Sequence, residues 1–156
     1  MIMRALTLIP LLALFATPAL AGDDWMPPLT DPLVKKECGG CHMAFQPGFL
    51  PARSWHRLMD GLADHFGEDA SLPAAPAAAI RATLTENAGD VIGQGRAGKA
   101  MRRLGSERTP VRITETPDFL RKHQLPERAW RDPKVVTKSN CPACHAGAER
   151  GWYEDD

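Results

Sequence analysis

The sequence predicts a mainly α-helical protein built from short helices and loops. Apolar residues in 52–66 recur with the helical period of about 3.6 residues. No alternation of apolar and polar residues is long enough for a confident strand. Prolines and glycines interrupt the chain between the helical segments. Together these three observations favour a small helical fold with many turns.

Four helical segments are expected after residue 50. Ser71 is a possible N-cap of the second, and Thr116 resembles the N-cap of the fourth, with Pro117 at its first helical position. The fourth segment stops at Pro126, and only residues 111–114 are a candidate for a short strand. In chain order the helices are predicted at residues 52–66, 71–88, 98–104 and 117–125.

The charge balance and the short apolar runs argue against two classes of protein, nucleic-acid binders and membrane-spanning proteins. The chain of 156 residues has 19 basic and 19 acidic side chains, which removes the usual argument for a nucleic-acid binder. No apolar run reaches the roughly 18–20 residues of a membrane span. The charges are nevertheless segregated, because residues 96–138 carry a net charge of +7 whereas residues 23–95 carry −5. Such a basic stretch is either a solvated surface or a docking face for an acidic partner.

The N-terminus has the pattern of a secretory signal peptide. A short start containing Arg4 precedes the apolar residues 5–16, and Ala19-Leu20-Ala21 has the form of a cleavage site. We therefore expect residues 1–21 to be a signal peptide and residues 22–156 to form one domain in the periplasm.

The four cysteines occur in two copies of one motif. Cys38-Gly39-Gly40-Cys41-His42 is the first, and Cys141-Pro142-Ala143-Cys144-His145 is the second. C-x-x-C-H is the attachment signature of c-type haem, in which both thiols form thioethers and the histidine binds the iron. A zinc site, two disulfides or a thioredoxin-like motif would leave the two histidines or the long spacing unexplained. The sequence thus predicts short helices and loops packed around two covalent haems c.

Each haem iron has a further axial position. The candidate ligands are the remaining histidines and the methionines after the signal peptide, namely His56, His65, His123, Met26, Met43, Met59 and Met101. On the helix predicted at 52–66, His65 falls on the margin of the apolar arc, whereas His56 falls about 60° beyond the opposite edge. His123 shares a helical face with Phe119. We predict His65 and His123 as the further ligands, without assigning either to one haem and with His56 still open.

The chain resembles the small exported dihaem cytochrome c family that donates electrons to the sphaeroides haem protein. The resemblance covers nearly all of residues 22–156 and rests on ECGGCH at 37–42, LPARSW at 50–55, HFGEDASL at 65–72, RITETPDFLRKH at 112–123 and NCPACH at 140–145. It implies two irons with paired histidine ligands, carried here by His42, His65, His123 and His145. It also implies a membrane cytochrome b561 as the electron source.

These observations predict an electron carrier and not an enzyme. An iron with two protein ligands leaves no position for a substrate, so the haems would only exchange electrons with redox partner proteins. The alternatives are a dihaem enzyme of the peroxidase type and a haem-based sensor, and both require one open iron site. The two well-placed histidines argue against an open site.

Overall fold

The computed structural model describes residues 24–154 and is mainly helical, as predicted. Within this range, none of the helices is long and apolar enough to cross a membrane. The predicted signal peptide, residues 1–21, lies outside the described residues. The α-helices are α1 (Pro32–Cys38), α2 (Ala52–Asp60), α3 (Ala74–Glu86), α4 (Gly89–Ile92), α5 (Gly95–Leu104), α6 (Pro117–Lys122) and α7 (Glu127–Trp130). Single turns of 3-10 helix occupy Pro47–Phe49, Leu62–Asp64, Ile113–Glu115, Cys141–Ala143 and Ala148–Arg150.

Helix α1 delivers the first haem motif and is fixed at its start by Asp31. One carboxylate oxygen of Asp31 accepts hydrogen bonds from the backbone N–H groups of Leu33 (2.8 Å) and Val34 (3.1 Å). The other oxygen accepts a hydrogen bond of 2.7 Å from the Thr83 hydroxyl of α3. This bond and those from the backbone hold the pKa of Asp31 below its usual value. Asp31 therefore ties the helix that ends at Cys38 to α3.

Helices α2 and α3 enclose the larger apolar core. Trp55 and Met59 of α2 pack in one cluster with Ile80 and Leu84 of α3. The Trp55 indole N–H donates a hydrogen bond of 2.8 Å to the carbonyl oxygen of Pro47, so the buried polar group is satisfied. The two helices thus form the apolar surface on which the first haem motif packs.

The helix predicted at 52–66 is shorter than expected. It ends at Asp60, Gly61 is its C-cap, and one 3-10 turn leads to His65. The chain then reverses at Phe66 and Gly67, which both have positive φ angles, and no α-helix can continue through this turn. The expectation that His65 lies on the face of a helix is therefore wrong.

The remaining predicted elements differ mainly in their limits. Helix α3 begins after Pro73, and Ser71 does not cap it. The basic helix predicted at 98–104 extends back to Gly95 as α5. Thr116 caps α6 as predicted, with its hydroxyl oxygen accepting a hydrogen bond of 3.3 Å from the Phe119 N–H. The possible strand at 111–114 is wrong, because a 3-10 turn forms at Ile113–Glu115.

A second core joins the beginning and the end of the described chain. Met26 packs with Ala148 and Tyr153, and the Met26 N–H donates to the carbonyl oxygen of Gly151 at 2.8 Å. Gln46 is fully buried beside them; its side-chain N–H donates to the Ala148 carbonyl at 2.8 Å, and its oxygen accepts a hydrogen bond from the Tyr153 hydroxyl. These contacts thus link residues near the first haem motif to residues that follow the second.

Candidate haem-binding sites

Each haem motif opens into its own cavity. The N-terminal cavity, of about 400 Å³, is lined by Cys38, Cys41, His42 and His65 among others. The C-terminal cavity, of about 390 Å³, is lined by Cys141, Cys144, His145 and His123. Both volumes fall in the range of about 300–1,000 Å³ that is usual for ligand and cofactor sites. The structure therefore groups the eight predicted site residues into two sets of four.

The two motifs present their thiols in the same way. In each motif the first cysteine is half-buried and the second is exposed, and all four are free thiols. Burial raises the pKa of Cys38, and it raises the pKa of Cys141 to about 11. Attachment of haem through thioether bonds requires free thiols at the edge of the cavity, and these cysteines meet that requirement.

The histidines face each other in pairs across the cavities. The ring centroids of His42 and His65 lie 6.2 Å apart, with 21° between the ring planes. Those of His123 and His145 lie 6.1 Å apart, with 87° between the planes. An imidazole nitrogen binds a first-row metal at about 2 Å and lies about 1 Å from its ring centroid, so rings on opposite sides of one ion have centroids about 6 Å apart. Both separations fit one iron between each pair.

Backbone carbonyls orient three of the four rings. The Nδ1 atom of His42 lies 2.7 Å from the Met43 carbonyl, that of His123 lies 3.0 Å from the Phe119 carbonyl, and that of His145 lies 3.1 Å from the Glu154 carbonyl. Because a carbonyl only accepts, each of these Nδ1 atoms carries the proton. In the neutral ring the Nε2 atom then carries no proton, which is the arrangement of a metal-ligating histidine.

His65 is held by a tight turn. Its N–H donates to the Glu68 carbonyl at 2.7 Å, and the Glu68 N–H donates back at 3.3 Å. Phe66 (φ 60°) and Gly67 (φ 99°) form the reversal between them, and the Asp64 carboxylate accepts from the Gly67 N–H at 3.1 Å. Burial first, and then the neighbouring His42 and Arg112, lower the pKa of His65.

The other candidate ligands occupy different environments. His56 is exposed on α2 and belongs to the lining of neither cavity, as its helical position suggested. Of the four candidate methionines, only Met59 lines a cavity, the N-terminal one, where it is also part of the core. The geometry therefore favours histidine pairs at both sites.

One wall is common to both cavities. Ile113, Phe119 and Cys141 line the N-terminal and the C-terminal cavity alike. Phe119 also stacks on His123, with ring centroids 3.9 Å apart and 11° between the planes. Sequence reasoning placed Phe119 beside His123 but did not show that it separates the two sites. The two cavities are therefore neighbours that share lining residues.

A fold of short helices that holds two C-x-x-C-H motifs, each facing a second histidine across a cavity, defines a c-type cytochrome with two haems. A family model described as dihaem cytochrome c matches residues 34–153. The chain belongs to this dihaem cytochrome c family, and its cofactors are two c-type haems with iron.

Solved structures agree with this family membership. The chain is similar to a dihaem cytochrome c from Rhodobacter sphaeroides, with 48% identity and a TM-score of 0.74 over 81% of this chain and 99% of that one. It is also similar to a dihaem c-type cytochrome from Shewanella baltica OS155, with 34% identity and a TM-score of 0.63 over 79% of this chain and 86% of that one. Among curated protein sequences, none matches this chain.

Proposed function

We propose that this dihaem cytochrome c is a periplasmic electron-transfer protein in which each iron has two histidine ligands. His42 and His65 would hold the iron of the haem attached at Cys38 and Cys41. His145 and His123 would hold the other. The observation that carries the proposal is the spacing of about 6 Å between the paired rings, since it leaves room for one iron and for no further group on its axis.

The haems, when bound, supply one-electron chemistry between Fe(III) and Fe(II). The task of this chain is to keep the ligands fixed, because an electron moves readily only when the coordination changes little. The carbonyl hydrogen bonds of His42, His123 and His145 and the turn at His65 serve that purpose. Burial and nearby charges then set the two reduction potentials.

The partners in this proposal are other redox proteins. We propose a membrane cytochrome b, such as cytochrome b561, as the electron donor and a soluble haem protein of the sphaeroides type as the acceptor. Export by a signal peptide at residues 1–21 would bring the chain to the compartment where a membrane donor can reach it. In this proposal, haem is attached to the cysteines in the compartment that the exported chain reaches.

Ligand-binding spectra of the purified holoprotein test the function. The reduced wild-type protein should not bind CO, and the oxidised protein should lack a sulfur-to-iron charge-transfer band. Both potentials should lie below those of cytochromes with His and Met ligands, because a thioether ligand raises the potential.

Either contrary result would change the assignment in a defined way. Ready binding of CO to half of the haem would indicate one open iron, as in a dihaem peroxidase or a sensor. A sulfur-to-iron band would instead identify a methionine ligand, and Met59 is the one that lines a cavity.

A further inference from the structure

Arg96 places a buried positive charge at the C-terminal cavity. This residue of α5 is only 8% exposed and lines the cavity together with His145. The carbon of its guanidinium group lies 5.0 Å from the ring centroid of Tyr153 and 5.8 Å from that of Phe49. These aromatic contacts fix the group in place but supply no hydrogen-bond acceptor.

The guanidinium group of Arg96 is not satisfied by its neighbours. Its Nε and Nη1 atoms are buried and have no hydrogen-bond partner among residues 24–154. Among the described residues, Arg96 forms an ion pair with Asp24, whose Oδ1 atom lies 3.5 Å from Nη1 and already accepts a hydrogen bond of 2.8 Å from Lys122. Buried N–H donors without an acceptor are costly, so the site suits an additional anionic acceptor beside Nε and Nη1 that the described residues do not supply.

The charges around the cavity support the same conclusion. Among the described side chains that line it, three are cationic and two are carboxylates, namely Arg96, Lys122, Lys138, Asp24 and Asp118. Asp118 is engaged by Arg103 at 2.6 Å and lies 3.6 Å from Arg121, both of which approach from outside the cavity. The described lining of the C-terminal cavity therefore carries one more positive than negative side chain, and both of its carboxylates are already engaged by other cations.

The N-terminal cavity has no equivalent of Arg96 among its described lining residues. Its arginine, Arg112, has a half-exposed side chain and lies over the Phe66 ring at 3.8 Å. Arg112 also forms an ion pair of 3.6 Å with Glu115. The unsatisfied cation is thus specific to one of the two sites.

We propose that Arg96 binds a propionate of the haem attached at Cys141 and Cys144, and that this contact raises the reduction potential of that haem. The proposal rests on the haem sites described under the proposed function. A propionate is a carboxylate, and the planar guanidinium group binds carboxylates through two parallel hydrogen bonds. With the propionate charge neutralised, the iron is more easily reduced, because Fe(II) carries one positive charge fewer than Fe(III).

The direct test replaces Arg96 by Gln and measures both potentials of the holoprotein by spectroelectrochemical titration. The equilibrium constant for reduction of one haem should fall by about tenfold, the size expected for one unit charge about 12 Å from a redox centre at an effective dielectric constant of about 20. The haem that responds should be the one with perpendicular histidine rings, which gives a different low-spin paramagnetic resonance signal from the near-parallel pair.

Arg102→Gln is the matched control, because Arg102 lies on the same helix, is exposed and lines neither cavity. It should leave both potentials unchanged. Equal shifts in the two variants, or unchanged potentials in Arg96→Gln, would overturn the proposal.

A second measurement covers the case in which Arg96→Gln does not accumulate. Arg96→Lys keeps the charge but loses the two parallel hydrogen bonds. The resonance Raman bending band of one haem propionate should therefore shift in Arg96→Lys and stay in place in Arg102→Gln. An unchanged band would show that Arg96 does not contact a propionate. A haem count below two per chain in the wild type would instead contradict the proposed function.

Discussion

At the scale of single residues, the four histidines that face each other in pairs have similar ring separations, but different contacts hold them in place. His42, His123 and His145 each have Nδ1 beside a backbone carbonyl, whereas His65 depends on its turn. His56 has neither a cavity nor a facing ring. We therefore expect substitutions of the five histidines to have different effects.

His65→Ala and His123→Ala should each open one iron. Half of the haem in each variant should become high-spin and bind CO, because removal of one axial nitrogen leaves that position to exogenous ligands. His56→Ala is the control and should keep the wild-type spectrum. Absorption and paramagnetic resonance spectra measure the outcome. A high-spin signal in His56→Ala alone would contradict the pairing of His65 with His42.

At the scale of elements, the turn after His65 is the part of the site that rests on backbone conformation. Gly67 has a φ angle of 99°, and a Cβ atom there would meet nothing within 4 Å. Gly67→Ala should therefore cost about 1 kcal/mol through conformation alone. Gly61→Ala is the control, since its φ of −103° suits alanine and the added Cβ would make ordinary contacts. Urea unfolding of the holoproteins measures both, and equal stabilities would contradict a strained turn.

The elements also show what can be predicted from sequence. Thr116 and Pro117 begin α6 as expected, because N-cap and first-turn preferences are local. His65 lines the N-terminal cavity although the helix that was expected to carry it stops at Asp60. The helical period of the apolar residues in 52–66 continues as far as His65 because the 3-10 turn at Leu62–Asp64 spaces side chains much as an α-helix does. Nothing local marks Arg96, since its burial depends on Tyr153 and Phe49, which are distant in the chain.

At the scale of the whole molecule, positive charge gathers around one of the two cavities. The described charged residues of the C-terminal cavity are Arg96, Lys122 and Lys138 with Asp24 and Asp118, whereas those of the N-terminal cavity are Glu37, Glu68 and Arg112. The sequence-level segregation of charge therefore corresponds to a difference between the two sites. An acidic redox partner would be guided to the C-terminal one.

Electron-transfer rates with an acidic partner should fall as ionic strength rises, and should fall several-fold further when Arg102 and Arg108 are both replaced by Glu. Both residues are exposed, whereas Arg103 is unsuitable because it binds the buried Asp118. Stopped-flow measurement at several salt concentrations gives the rates. Lys35→Glu with Arg57→Glu changes the net charge equally outside residues 96–138, so equal losses in both double variants would exclude a localised docking face.

The buried contacts of Gln46 limit how the protein could be cut into smaller working parts. Gln46 lies four residues after the first motif, yet its two hydrogen-bond partners, Ala148 and Tyr153, follow the second. A fragment that ends before Ala148 would leave this amide without either partner, at a cost of roughly 1–3 kcal/mol, and would uncover Met26. Two single-haem fragments made by dividing this gene between the motifs should therefore each be less stable than the same segment in the intact chain.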